Sequence, residues 1–318
     1  MKRDISVVIP LLNEEQSLEE LYARIDKVCT NARISYEIWF IDDGSTDNSW
    51  GIIQLLSAQN PDVRGIKFSR NYGKSQALHA AFGRVKGDVI ITMDADLQDF
   101  PEEIPELYRM VKDENYHIVS GWKKKRYDNV MTKNLPSKLF NAAARKVSGV
   151  YLHDFNCGLK AYDRSVVKNI DVYGDMHRYI PVLAANAGFR KITEKQVQHQ
   201  ARPYGSSKFG TERFIRGFLD LVTLWFVSRF GGRPMHFFGA GGTLMFLIGF
   251  LSALWLGVSK LIDVARGNYG HLIADNPWFY IALTMMIMGT LLFIGGFLGE
   301  MIIRTKREHK NYNIEEVI

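Results

Sequence analysis

Asp88–Gln98 reads DVIITMDADLQ: an apolar run, Asp88–Met93, that stops at two carboxylates, Asp94 and Asp96, with Ala95 between them. The run is short, rich in isoleucine and bounded by polar residues, which predicts a buried strand. Its C-terminal mouth is the place where open α/β sheets take their ligands. Side chains two apart in extended backbone point the same way, so both carboxylates can reach one ion. A hard cation such as Mg²⁺ or Mn²⁺ takes oxygen ligands and commonly binds through one or two carboxylates plus substrate phosphates. An isolated Asp-x-Asp is frequent by chance and usually a solvated turn, so the weight of this pair comes from its surroundings.

Outward from this strand the chain alternates. Ile5–Pro10, Tyr36–Ile41, Val63–Ser69 and His117–Gly121 are further strand-like runs. Between them, Ser17–Cys29, Ser49–Leu56, Ser75–Val85 and Pro101–Val111 carry apolar residues at helical spacing. Such alternation predicts a mostly parallel sheet with helices on both faces. The second strand ends in Asp42-Asp43-Gly44-Ser45-Thr46-Asp47. A carboxylate there can bond a ribose or base and the glycine admits close backbone approach, although Ser45 or Asp47 can equally cap the next helix. The first strand ends in Pro10-Leu11-Leu12-Asn13-Glu14, so Glu14, Asp42, Asp94 and Asp96 are expected to converge at one sheet edge. Gly73-Lys74-Ser75 looks like the end of a P-loop, but Phe68 stands where the first glycine is required. Gly239-x-Gly241 falls in a membrane-type segment, and neither motif supports an ATPase or a dehydrogenase. His79, His117 and His177 lack metal-ligand spacing and are read as structural.

The last third of the chain is written for a different solvent. Phe237–Val258 and Trp278–Gly299 are uncharged throughout. At about 1.5 Å per residue each covers roughly the 30 Å of a bilayer's hydrocarbon core. Arg304, Lys306, Arg307 and Lys310 follow the second span, which by the positive-inside rule keeps both termini and the N-terminal bulk in the cytoplasm of an inner or plasma membrane protein. MKRDISVVIP is too short an apolar start for a signal peptide. Phe214–Phe230 is apolar on a wide face and reads as a helix lying in the interface; Lys133–Val150 is a second candidate, or an ordinary surface helix. Gly295 and Gly299 form a small-xxx-small pair, the basis for expecting self-association, against the plain abundance of glycine in membrane helices. The expected organisation is residues 1–210 as a soluble domain, 211–234 as an interfacial helix, 235–303 as two spans and 304–318 as a cytoplasmic tail. Two cysteines, Cys29 and Cys157, imply no disulfide framework. The net charge of +6 suits anionic substrates and an anionic leaflet, and no nucleic acid is expected as a partner.

Ile9–Glu15 (IPLLNEE), Phe40–Ser49 (FIDDGSTDNS), Arg70–Leu78 (RNYGKSQAL) and Met93–Glu102 (MDADLQDFPE), in this order, resemble family 2 glycosyltransferases of the GT-A, Rossmann-like fold. More narrowly they resemble the polyprenyl-phosphate members, the dolichol-phosphate mannose synthases and bactoprenol glucosyltransferases. The resemblance runs from Ile5 to about Phe209, and the two C-terminal spans match the bactoprenol type. It implies that Asp94, Asp96 and Gln98 hold a divalent metal, and that Pro10, Glu14, Asp42 and Ala95 line the nucleotide-sugar site with the two aspartates. It implies that Lys123, Arg126, Ser137 and Lys138, with Arg202 and Lys208 of RPYGSSKF, receive the acceptor phosphate. This chain has Lys123 and Lys133 where relatives often show Arg. Asp154, in DFNCG, falls near the reacting centre; it positions the acceptor or stabilises an oxocarbenium-like centre, with general base as second choice. The expected reaction is inverting, metal-dependent transfer of a sugar, glucose from UDP-glucose first, to undecaprenyl or another polyprenyl phosphate. Other donors such as GDP-mannose, or a polysaccharide-synthase-like transfer, are the alternatives, although the Gln-x-x-Arg-Trp motif of the latter is missing.

Overall fold

In a computed structural model of the protein, the description covers residues 3–124, 145, 149–172, 176–200, 203, 226, 230, 233–267, 270, 272–304, 312 and 314–318. The chain divides into two units, Met1–Ser228 with Lys310–Ile318, and Arg229–His309.

The first unit is built on isoleucine- and valine-rich strands that can be buried on both sides. β1 (Arg3–Leu11), β2 (Tyr36–Asp42), β3 (Val63–Phe68) and β4 (Gly87–Thr92) pair in parallel, interleaved with α1 (Leu18–Asn31), α2 (Ser49–Gln59) and α3 (Lys74–Phe82). α4 (Ile104–Lys112) and β5 (Ile118–Trp122) follow. Alternate side chains face opposite layers, as strand geometry requires. Ile5, Val7 and Ile9 pack with Leu21, Ile25 and Leu107 on one face, while Val8 packs with Phe68, Phe82 and Tyr162 on the other. Burying each such side chain is worth roughly 1.5–3 kcal/mol, so helices must cover both faces. The expected mostly parallel sheet is what the structure has.

Register positions the site. Leu11 lies opposite Asp42 in the β1–β2 pair and Val8 opposite Thr92 in the β1–β4 pair. The residues just after β1, β2 and β4 therefore emerge along one edge.

Three strands have no counterpart among the sequence-predicted elements: β6 (Lys160–Asp163), β7 (Ile192–Gln196) and β8 (Ile314–Val317). They complete the order β7-β5-β6-β4-β1-β2-β3-β8, with β6 and β8 antiparallel to their neighbours. Two short helices, α5 (Arg164–Lys168) and α6 (Ile180–Asn186), lie between β6 and β7. KAYD, ITEKQ and IEEV carry too many charges to show a clean two-residue period.

β8 changes the reading of the C-terminal segment. Expected as a cytoplasmic tail, it ends as an edge strand on β3. Glu316 accepts from the Trp50 indole N–H at 2.9 Å, and Glu315 pairs with Lys67 at 2.9 Å. Tyr312 stacks on Phe68 with centroids 5.1 Å apart, and its hydroxyl bonds His79 at 3.1 Å.

The second unit is a helix pair, α7 (Pro234–Ala265) and α8 (Pro277–Arg304), which contain the two expected spans. Both are long and apolar enough to cross a membrane, and large side chains such as Trp255, Leu261 and Ile302 are exposed. Contacts pair Gly242 with Gly289 and Gly249 with Ala282, so the helices run antiparallel. A Cβ on Gly242 would stand 2.5 Å from the Gly289 carbonyl oxygen, which is why small residues occupy the crossing. Gly299 packs on Pro234, whereas nothing lies within 4 Å of a Cβ on Gly295, so the two glycines do not share one free stripe. Arg304 closes α8; the remainder of the basic stretch, and nearly all of the two candidate interfacial segments, lie outside the described residues.

The tail strand gives the first prediction. Deleting Tyr312–Ile318 should lower the melting temperature of detergent-solubilised protein by about 5–10 °C, as a loss of roughly 2–4 kcal/mol would. Differential scanning fluorimetry reads this directly, and an unchanged melting temperature would mean that β8 does not stabilise the sheet.

Candidate active site

β4 delivers Asp94 to the sheet edge, and the turn after it is held tightly. Leu97 adopts a left-handed backbone (φ 57°) unusual for a bulky residue, and its side chain is wholly buried. The hydrophobic anchorage offsets the strain and fixes the direction of the neighbouring polar groups. Asp96 Oδ1 accepts the Gln98 N–H at 3.2 Å, and the Gln200 side chain donates to the Leu97 carbonyl at 2.6 Å.

A cavity of about 260 Å³ opens at this turn. Asp94, Gln98, Lys123 and Asn156 line it together with Lys74, Lys160 and His177. Lys74, at the start of α3, pairs with Asp94. Lys123 pairs with the wholly buried Asp99 at 2.6 Å, and that carboxylate pushes the Lys123 pKa up despite burial. Lys160 is buried; it donates to the Phe155 carbonyl at 3.1 Å and to the Cys157 carbonyl, while burial lowers its pKa. Burial by itself would raise the Asp94 pKa, but Lys74 and Lys123 outweigh it and hold the carboxyl at about 2. The wall thus carries three lysines around an ionised aspartate, an environment suited to a further anionic group.

The loop before β6 faces the same space. Asp154 is buried, and its Oδ1 accepts the Asn156 N–H at 3.0 Å. Its neighbours Phe155–Gly158 line the cavity, and its carboxylate holds the backbone at Asn156 where that stretch enters the wall. Gly158 packs directly against the acid: a Cβ there would lie 2.4 Å from Asp94 Oδ2, so a side chain at this position would displace the carboxylate.

Beside the cavity, the turns after β1 and β2 are laced together. The Asn13 N–H donates to Ser45 Oγ at 2.9 Å, the Glu14 N–H to Ser49 Oγ at 3.0 Å, and the Thr46 N–H to Asn13 Oδ1 at 2.8 Å. Gly44 has φ 77°, and a Cβ would sit 2.5 Å from the Arg70 carbonyl carbon. Asp42 is wholly buried, which raises its pKa; Oδ1 accepts the Ser45 N–H, and Oδ2 has no partner among the described residues. A buried acceptor of this kind calls for a donor from a water or a bound molecule. Asp43 accepts the N–H groups of Tyr72 and Gly73 at 2.7 and 2.9 Å, fixing the approach to Lys74.

Of the sequence-predicted residues, Asp94, Gln98 and Lys123 come together in the cavity wall. Pro10, Glu14 and Asp42 lie along the same edge without lining it, and Ala95 is buried. Asp96 shares the turn but not the wall. Arg126, Ser137, Lys138, Arg202 and Lys208 lie outside the described residues. Lys74, Lys160 and His177 were not singled out as site residues by the sequence. The Gly73-Lys74-Ser75 signal was present, but its meaning is a side chain reaching Asp94 and not a phosphate-wrapping backbone.

The donor set fits a hard cation on one condition. Asp94 and Gln98 in the wall, with Asp96 in the same turn, offer oxygen atoms, but no group of three His, Cys, Asp or Glu among the described residues could hold an ion unaided. A divalent ion here would depend on substrate phosphates for the rest of its shell.

Gly158→Ala should cut turnover by at least ten-fold with a native circular-dichroism spectrum, because the added methyl displaces the Asp94 carboxylate. Normal turnover in that variant would dissociate Asp94 from catalysis. Cys29 and Cys157 are buried, and desolvation pushes both thiols up to about 12. Both stay protonated at pH 8, so iodoacetamide should label neither until the protein is denatured, as mass spectrometry would record.

The glycosyl transferase family 2 profile matches residues 6–171. The chain is 33% identical over 304 residues to the dodecaprenyl-phosphate galacturonate synthase of Rhizobium johnstonii, covering 95% of this chain and 88% of that one. It is 35% identical over 320 residues to an undecaprenyl-phosphate 4-deoxy-4-formamido-L-arabinose transferase of Klebsiella pneumoniae, covering 99% and 94%. Glucosyl-3-phosphoglycerate synthase from Mycobacterium tuberculosis, solved with UDP, superposes with a TM-score of 0.54 at 20% identity, over 71% of this chain and 80% of that one, a likeness of fold. With its parallel sheet, carboxylate-bearing edge and matching profile, the chain belongs to glycosyl transferase family 2 and is a glycosyltransferase.

Proposed function

We propose that this protein transfers a sugar from a nucleotide diphosphate sugar to a polyprenyl phosphate at the inner face of a membrane. The observation that carries this reading is the cavity at the end of β4, where Asp94 and Gln98 face Lys74, Lys123 and Lys160. A phosphate oxygen of the lipid attacks the sugar's anomeric carbon, the bond from that carbon to the diphosphate breaks, and the nucleoside diphosphate leaves with the electron pair. Configuration inverts. The lysines stabilise the charge gathering on the leaving diphosphate, and a bound Mg²⁺ or Mn²⁺ at Asp94, Asp96 and Gln98 would supply the same stabilisation. A phosphate acceptor is already anionic near neutral pH, so the site needs no strong base. Buried Asp154 serves by fixing the loop that carries Asn156 and Gly158.

The relatives' names turn the choice of sugar toward galacturonate and 4-deoxy-4-formamido-L-arabinose, ahead of glucose. Membrane attachment rests on α7 and α8. Topology has its own support: the chain leaves the first unit, makes two apolar helices and returns to pair β8 with β3. Two crossings bring a chain back to the side it left, in keeping with a cytoplasmic placement of the domain and both termini.

Incubating purified protein with undecaprenyl phosphate and separately labelled UDP-galacturonate, UDP-4-deoxy-4-formamido-L-arabinose, UDP-glucose and GDP-mannose should give one labelled lipid. Failure to label lipid with any of them would reject the reading. Asp96→Asn should remove at least 99% of turnover with the fold intact, and EDTA should abolish activity that added Mg²⁺ or Mn²⁺ restores. Full turnover in metal-free buffer would exclude the metal assignment.

A further inference from the structure

His177 lines the cavity, yet the transfer chemistry above gives it no task. It lies in a single 3-10 turn, Met176–Tyr179, directly before α6. It shares the wall with Lys74, Asp94 and Lys160.

The ring is fixed from one side. Nδ1 lies 3.0 Å from Ser75 Oγ, and the backbone N–H of His177 donates to that same oxygen at 3.0 Å. Ser75 is wholly buried in the first turn of α3. A hydroxyl offers one proton and two lone pairs. If Nδ1 carried the imidazole proton, Oγ would accept twice and its own proton would find no other acceptor among the described residues. Leaving a buried donor unpaired is costly. The favoured arrangement has Ser75 donate to Nδ1, which puts the imidazole proton on Nε2. Burial, with Lys74 and Arg178 nearby, pushes the His177 pKa down to about 3, so the ring is neutral. An imidazole protonated at Nε2 is a directional donor and cannot ligate a cation through that atom.

The geometry points to His177 as a donor-substrate binding residue, whose Nε2–H donates to an oxygen in the sugar-diphosphate part of the nucleotide sugar, in the tautomer that Ser75 imposes. This rests on the proposed function. The lysines of the wall are already tied to carboxylates or carbonyls and provide charge. His177 adds an uncharged donor with a fixed direction, beside the Asp94 and Gln98 that the diphosphate must approach. A sugar hydroxyl and a phosphate oxygen present the same acceptor chemistry, and binding data separate them.

The test titrates full-length protein in detergent, with Mg²⁺, against UMP, UDP, UDP-glucose and UDP-galacturonate by calorimetry. His177→Phe should raise the dissociation constant for the UDP-sugars about ten-fold and leave UMP unchanged. His177→Gln, which keeps an N–H at similar reach, should recover most of the loss. Ser75→Ala, which frees the tautomer, should fall between. A rise shared by UDP and the UDP-sugars places the contact on the diphosphate; a rise confined to UDP-sugars places it on the sugar. Wild-type affinities in His177→Phe would overturn the inference, as would an equal loss of UMP binding or weakened Mn²⁺ binding without nucleotide. If the wild-type protein itself binds none of these nucleotides, a uridine-linked donor is excluded from the proposed function and the inference is overturned.

Discussion

The parallel pairing of β4, β1 and β2 is the constraint on which the site depends. Parallel strands share a direction, so every residue following a strand emerges at the same edge. With Leu11 level with Asp42 and Val8 level with Thr92, the chain has no freedom to scatter its carboxylates. A slip of one residue would turn Val7, Ile9 and their neighbours out of the cores they fill, so hydrophobic burial on two faces enforces the register. The placement of the polar groups thus follows from the packing of apolar ones.

Charge balance is the second determinant. Asp94 remains ionised because Lys74 and Lys123 outweigh its burial, while Lys123 stays charged because of Asp99 beneath it. Lys160 is held by two carbonyls and, among the described residues, pairs with no carboxylate. The arrangement gathers three lysines at one wall, two of them paired with carboxylates and one held by carbonyls, a cluster of positive charge that is useful in a protein that receives a diphosphate. The motif containing Lys74 illustrates the limit of pattern matching. Phe68 rightly rules out a P-loop, yet the lysine of that motif still reaches the carboxylate at the end of β4.

The membrane-type helices and the catalytic sheet follow different rules within one chain. α7 and α8 meet through glycines, since apolar side chains gain little by leaving lipid for one another. The sheet is completed by a strand from beyond those helices, held by Glu315, Glu316 and Tyr312. The last residues are therefore part of the soluble fold, and the two helices form a loop that begins and ends in it.

The sequence by itself determined β1 to β5, the helices between them and both membrane-type helices, because each announces itself through local hydrophobic periodicity or length. It also led to the expectation that Glu14, Asp42, Asp94 and Asp96 would stand at one edge, since parallel strands deliver their C-terminal ends together. Only the tertiary structure decided that KAYD, ITEKQ and IEEV are strands, because their pairing partners and not their own composition make them so. It alone decided that Asp154 is buried, that Lys74 meets Asp94, and that Ser75 fixes the ring of His177 across 102 residues of chain. Contacts of that separation leave no local pattern. They arise when α3 and the turn before α6 pack on the same face of the sheet, and folding alone brings those faces together.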